Sequence, residues 1–131
     1  MENILTGIYS RYSGDAALKA ALSGGFYREL AAPSAVLPYG VYSVPAGAPE
    51  YWMGGRRFEL ISIQFDIYAD TNAKRKAAYE ALIALYDDCR PTATGYTPIL
   101  MERTVQQMSR EGSQNEFFRA TVRYECRYSK P

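Results

Sequence analysis

Two carboxylates four residues apart, Asp66 and Asp70, are the first groups in this chain that could act together. Such a pair can hold a divalent cation or divide general-acid and general-base work. No third ligand stands near them in sequence, so the plainer reading is preferred: Asp66 as an outward strand residue, Asp70 as part of a helix cap. Asp87 and Asp88 form a second acidic pair near a helix C-terminus, where the dipole disfavours anions. A cation from elsewhere could compensate, and an ordinary solvated helix end is the plainer reading. Gly54-Gly55-Arg56-Arg57 shares glycines with phosphate-binding turns but lacks their spacing. Its two guanidinium groups could hold an anionic surface or DNA; a charged hairpin tip is the plainer reading. Arg119, Arg123 and Arg127 are spaced by four and share one face of a strand. They could line a DNA passage, or pair across a sheet with Asp66, Glu59 and Glu125; pairing is preferred. Cys89 and Cys126 make no C-x-x-C motif and read as a helix-end residue and a small core residue. Histidine, the commonest general base and transition-metal ligand, is absent. These features assign no catalytic residue, no metal site and no cofactor, and they point away from an enzyme.

The elements that must carry these groups are legible in the periodicity. Ile61, Ile63, Phe65, Ile67 and Ala69 alternate with Ser62, Gln64, Asp66 and Tyr68, the period-two pattern of a half-buried strand. Asp70-Thr71-Asn72 then offers capping oxygens, and Ala78, Leu82, Leu85 and Tyr86 follow along one helical face. A second such strand runs to Tyr128, with Phe118, Ala120, Val122, Tyr124, Cys126 and Tyr128 on its apolar side. Near the N-terminus, Ile4, Leu5, Ile8, Tyr9 and Tyr12 line a helix over Glu2–Tyr12. Asp15 caps a short helix Ala16–Leu22, which Gly24-Gly25 ends. Phe26–Pro38 reads as irregular, Pro45–Arg57 as a long loop, Arg90–Pro98 as another, and Ser109–Asn115 as a turn. The expected fold is α+β: a mixed, antiparallel-rich four-stranded sheet of Tyr39–Val44, Phe58–Ala69, Ile99–Met108 and Phe117–Tyr128. Helices pack mainly on one face, with Ala73–Asp87 the principal cover.

Length and composition bound the rest. The 131 residues suit one domain spanning 1–131, with room for one core. Fifteen basic and fourteen acidic side chains leave a net charge of +1, which gives no bulk attraction to nucleic acid. Neither a signal peptide nor a membrane span is visible, so a soluble protein with reduced thiols in a cytoplasmic setting is expected. Twelve tyrosines read either as the rim of a core or as interface residues that also meet water. Tyr51, Trp52, Met53, Arg56 and Arg57 form an aromatic–arginine segment of the kind that anchors interfaces, here on an expected projecting loop.

The order and wording of these segments resemble a known family. Asp15-Ala16-Ala17-Leu18, Leu22 and Gly24-Gly25-Phe26-Tyr27 are followed by Leu37-Pro38-Tyr39-Gly40-Val41-Tyr42. Phe65-Asp66-Ile67-Tyr68-Ala69-Asp70 then runs into the alanine-rich helix. From Ile4 to Tyr128 the chain is similar to the tail terminator, or tail completion, proteins of long-tailed bacteriophages. Its motifs are packing motifs, and it departs from a simple template in the segment Tyr51–Arg57. The resemblance implies a structural virion protein at the head-proximal end of the tail, assembled in the bacterial cytoplasm. It implies a homohexameric ring that stops tube polymerisation and forms the head-joining surface, with a monomeric free subunit allowed. The implied partners are its own copies, the tail tube protein and head–tail connector proteins. DNA is met only in passage through the ring, and no membrane is involved. A head-closure or neck ring component is the nearest alternative, and a small ligand-binding or enzymatic α+β domain a more distant one. On this reading Asp66, Arg119, Arg123 and Arg127 are ring-interface or lumen charges. Charge reversal at Arg119 and Arg123 is then expected to impair tail joining without harm to the fold.

Overall fold

A computed structural model describes residues 2–31, 34–46, 50–53, 56–89, 95, 97–111 and 117–130. Two helices open the chain, α1 (Glu2–Ser13) and α2 (Ala16–Ala21). The strands β1 (Phe26–Arg28), β2 (Tyr39–Ala46), β3 (Glu50–Met53) and β4 (Arg56–Ala69) follow. Then come α3 (Asn72–Tyr86), β5 (Thr97–Glu111) and β6 (Phe117–Lys130). The sheet runs β1-β2-β4-β6-β5, with β3 joined to β4 beside β2. Only β1–β2 is parallel among the pairings; the other four are antiparallel.

The sheet is therefore mixed and antiparallel-rich as expected, but it has six strands rather than four. The expected irregular stretch after Gly25 starts with β1, held by pairing to β2 rather than by any period of its own. The expected loop Pro45–Arg57 is largely strand: Glu50–Met53 pairs with Arg56–Glu59. Gly54 and Gly55 lie outside the described residues. β5 is longer than expected at both ends, so Thr97, Pro98 and Ser109–Glu111 are strand and not loop or turn. Pro98 is tolerated because β5 is an edge strand, where a missing N–H need not break a ladder.

One core lies between the sheet and the helices. Ile61, Ile63, Phe65, Ile67 and Ala69 of β4 and Ala120, Val122, Tyr124 and Cys126 of β6 are fully buried. α3 covers them with Ala78, Leu82 and Tyr86, all fully buried, while Leu85 is only partly covered. Its N-cap is Thr71, whose hydroxyl accepts from the Lys74 N–H at 3.2 Å. From α1, Leu5, Ile8 and Tyr12 point inward, whereas Tyr9 is half exposed. α1 is also tied to α3 by polar bonds: the buried Tyr86 hydroxyl donates to the Ile8 carbonyl at 2.7 Å, and Arg11 Nε to the Leu85 carbonyl at 2.9 Å. Asp15 caps α2 through the Leu18 N–H at 3.0 Å. Beyond α2, Gly24 donates to the Pro38 carbonyl, and a Cβ there would lie 1.6 Å from the Val36 carbonyl oxygen. No other residue fits that approach.

The tyrosine question divides. Tyr12, Tyr42, Tyr86, Tyr124 and Tyr128 are buried. Tyr12 stacks on Phe26 at 4.6 Å, Phe26 on Tyr42 at 4.8 Å, and Phe65 on Tyr86 at 4.7 Å. Aromatic contacts therefore join α1, β1, β2, β4 and α3 in one continuous interior. Cys89 and Cys126 are free and buried, as read from the sequence, with Cys89 Sγ 3.4 Å from Met101 Sδ. Among the described residues no helix is long and apolar enough to cross a membrane.

Leu82 sits where the helix meets the sheet, so Leu82→Ala is expected to cost about 2–5 kcal/mol in urea or thermal unfolding. An unchanged midpoint would refute this packing. Burial also pushes the phenols of Tyr86, Tyr124 and Tyr128 and the Cys126 thiol above their ordinary ionisation range. The unfolded chain then releases these protons first as pH rises. Their contribution to stability is intact below about pH 9 for the thiol and about pH 10 for the phenols, and is lost above. In an alkaline titration the buried tyrosinate absorbance should appear together with loss of near-ultraviolet circular dichroism. Ionisation of all tyrosines near pH 10 with the fold intact would contradict the assignment.

Candidate functional site

The sheet's outer face is built by the residues that alternate with the core. Across β4 and β6 the register sets Tyr68 against Arg119, Asp66 against Thr121, Gln64 against Arg123 and Ser62 against Glu125. Asp66 is 6% exposed, the single buried charged residue among those described. It is thus not the open outward residue expected. Its Oδ1 accepts from the Thr121 hydroxyl at 2.7 Å and from Arg119 Nη2 at 2.9 Å and Nε at 3.1 Å. Its Oδ2 accepts from Gln64 Nε2 at 2.9 Å. Gln64 Oε1 in turn accepts from Arg123 Nη2 at 2.7 Å. The Arg119 guanidinium lies 5.5 Å from the Tyr68 ring centroid. Thr121 is directly opposite Asp66 and Arg119 is its diagonal neighbour, the two positions from which strand side chains can reach.

The preferred cross-sheet pairing is what the structure brings together for Arg119, and Arg123 joins the same chain through Gln64. Arg127 stands apart. It is exposed and pairs with Glu125 at 3.6 Å, the weak kind of surface ion pair. Asp70 does not join Asp66; its carboxylate meets Lys74 Nζ at 3.2 Å, one helical turn on. Beside the network lies a shallow recess of about 170 Å³ lined by Leu30, Tyr39, Val41, Asp66 and Tyr68. Tyr51, Trp52 and Met53 lie on β3, where Trp52 is the register partner of Arg57 and Met53 of Arg56. The aromatic–arginine segment is thus a strand pair; its side chains lie outside the described residues.

A second polar cluster was missed. Asp87, read as a solvated helix end, accepts from the Tyr124 hydroxyl at 2.6 Å and meets Arg103 Nη2 at 3.4 Å. Arg103 Nη1 also donates to the Tyr79 hydroxyl at 2.9 Å, and that hydroxyl donates to Gln106 Oε1. A β-bulge at Thr104, where the register with β6 shifts between Arg103 and Val105, puts Gln106 on the same face as Arg103. The anion at the helix C-terminus is compensated by a strand guanidinium, the alternative the dipole argument had left open. Nothing in the local alternation of β5 marks Arg103 as lying beside α3. Asp87, Asp88, Glu102 and Arg103 border an open depression of about 350 Å³.

Chemically, the outer face holds, among the described residues, two ion pairs, Asp66 with Arg119 and Glu125 with Arg127, while Arg123 meets the uncharged Gln64 amide and leaves its buried Nε without a hydrogen-bond partner. The strongest of these contacts is the one between Asp66 and Arg119. It also corrects the expectation for Arg119. Reversal there would set a second carboxylate against buried Asp66, so it cannot leave the fold untouched. Asp66→Ala, which removes the carboxylate that accepts from Arg119, Thr121 and Gln64, should cost about 1–3 kcal/mol. In a double-mutant cycle with Arg119→Ala the losses should be clearly non-additive; additive losses would mean that the pair is not coupled.

No family model matches the chain, and no curated protein matches it in sequence. Among solved structures, it is similar to a chain from the virion of a native gene transfer agent particle. The likeness has a TM-score of 0.79 at 14% identity, covering 93% of this chain and 91% of that one. It shows a shared fold over nearly the whole of both chains.

Proposed function

We propose that this chain is a structural virion protein that caps a phage tail tube. As a homohexameric ring it would end tube polymerisation and present the surface that joins the head. The observation that carries this reading is the fold likeness to a chain of a phage-like virion, at nine-tenths coverage of both chains. The segments Asp15–Leu18, Gly24–Tyr27, Leu37–Tyr42 and Phe65–Asp70, which resemble tail terminators, support the same reading. So does a polar sheet face on which Asp66 is paired with Arg119 and Glu125 with Arg127, because such a face can lie against protein or beside passing DNA without a strong net field. On this reading its partners are its own copies, the tail tube protein and the head–tail connector.

The test is electron microscopy of particles made without this protein. Tubes of uncontrolled length together with unjoined heads are expected. Tubes of normal length with heads that leak or fail to join would instead assign it to a head-closure or neck ring. Normal particles would reject both.

A further inference from the structure

Among the described residues the sheet ends on β5, a 15-residue strand paired on one side only, with β6. Residues 102–108 are exposed whichever face they stand on. α3 touches this edge only with side chains, Tyr79 at Arg103 and Gln106 and Arg75 at the Ser109 carbonyl, and no described strand pairs with it. Edge strands are normally blunted by lysine, proline, bulges or a covering element. Beyond the bulge at Thr104, Val105–Glu111 pairs with β6 without a shift, and Val105–Ser109 carries neither charge nor proline. Val105 and Met108 are 44% and 43% exposed. Among the described residues, Val105–Met108 is therefore an edge with no strand on its outer side, a template for another strand.

The opposite side of the sheet supplies a complementary edge. β3 is paired with β4 and, among the described residues, with no other strand. β2 and β6 are each antiparallel to β4, and β5 is antiparallel to β6, so β5 runs in the direction of β4. β3, antiparallel to β4, runs the other way. A head-to-tail repeat that continues the sheet therefore lays β5 of one copy antiparallel to β3 of the next, with no reversal of either subunit. The register that sets Glu50 against Arg110 also sets Trp52 against Met108. By contrast, β5 against β5 about Gln106–Gln107 would oppose Arg103 to Arg110 and Glu102 to Glu111, placing like charges together.

We infer that the β5 edge is a self-assembly surface that takes the β3 edge of a second copy of this chain, continuing the sheet from subunit to subunit. The inference rests on the proposed ring assembly but does not depend on where in a particle that ring sits.

The test uses Glu50→Cys and Arg110→Cys, singly and together, treated with a short bis-maleimide in purified protein and in assembled particles. The native thiols are buried and give a quiet background. A ladder of covalent multimers in the double variant, absent from both single variants, is the expected result. Dimers from Arg110→Cys alone would overturn the inference in favour of β5–β5 pairing, and no multimers in either preparation would overturn it outright. Val105→Lys with Met108→Lys should abolish the multimer while leaving the melting curve in place, because both side chains are exposed. Multimers that persist in that folded variant would also overturn it. A ladder in a ring found away from the tail end would uphold the edge contact while rejecting the proposed cap.

Discussion

The ladder between β4 and β6 is the constraint from which the rest of the molecule follows. Thirteen consecutive pairs, from Arg57 with Lys130 to Ala69 with Phe118, run without a shift. Every second residue of both strands is apolar and fully buried from Ile61 to Ala69 and from Ala120 to Cys126. A slip of one residue would turn that whole set toward water, so the register is fixed by burial on one side alone. The buried side then requires cover. A single helix with Ala78, Leu82 and Tyr86 at spacings of four supplies most of it, and α1 and α2 fill what remains.

The same ladder dictates what the other face can be. Asp66 is buried there, and a buried carboxylate is costly unless its lone pairs are filled. The register supplies Thr121 directly opposite, Arg119 on the diagonal and Gln64 two residues away on the same strand. Burial on the core side and hydrogen bonding on the outer side therefore specify one and the same alignment. A slipped sheet would lose both at once, which is a stronger specification than either gives alone.

What was legible in the sequence was what obeys a period. β4, β6, α1 and α3 were placed to within two residues, and so was the buried set Ile61, Ile63, Phe65, Ile67, Ala78 and Leu82. The Arg119–Asp66 pairing was legible too, because opposite charges on one strand face have few other places to go. The rest depends on neighbours rather than on local pattern. β1 is three residues long and exists only because β2 lies beside it. β3 was hidden among Pro45, Gly47, Pro49 and two glycines, whose composition reads as a loop until β4 offers it a ladder. The Asp87–Arg103–Tyr124 cluster depends on β5 lying beside the end of α3, a neighbourhood that the local pattern of neither element shows.

The division between a hydrogen-bonded face and open edges bears on how such a protein holds partners. The Asp66 carboxylate on that face already accepts from arginine, threonine and glutamine and has little hydrogen-bonding capacity left to offer. A strand edge is the reverse: its donors and acceptors belong to the backbone and need no particular side chain. Contacts made that way leave almost no trace in residue identity. The likeness to the virion chain shows a course of the backbone kept over nine-tenths of both chains at 14% identity. A protein that assembles through the backbone can change nearly all of its surface residues and keep its contacts, provided the ladder that sets the edges in place does not slip.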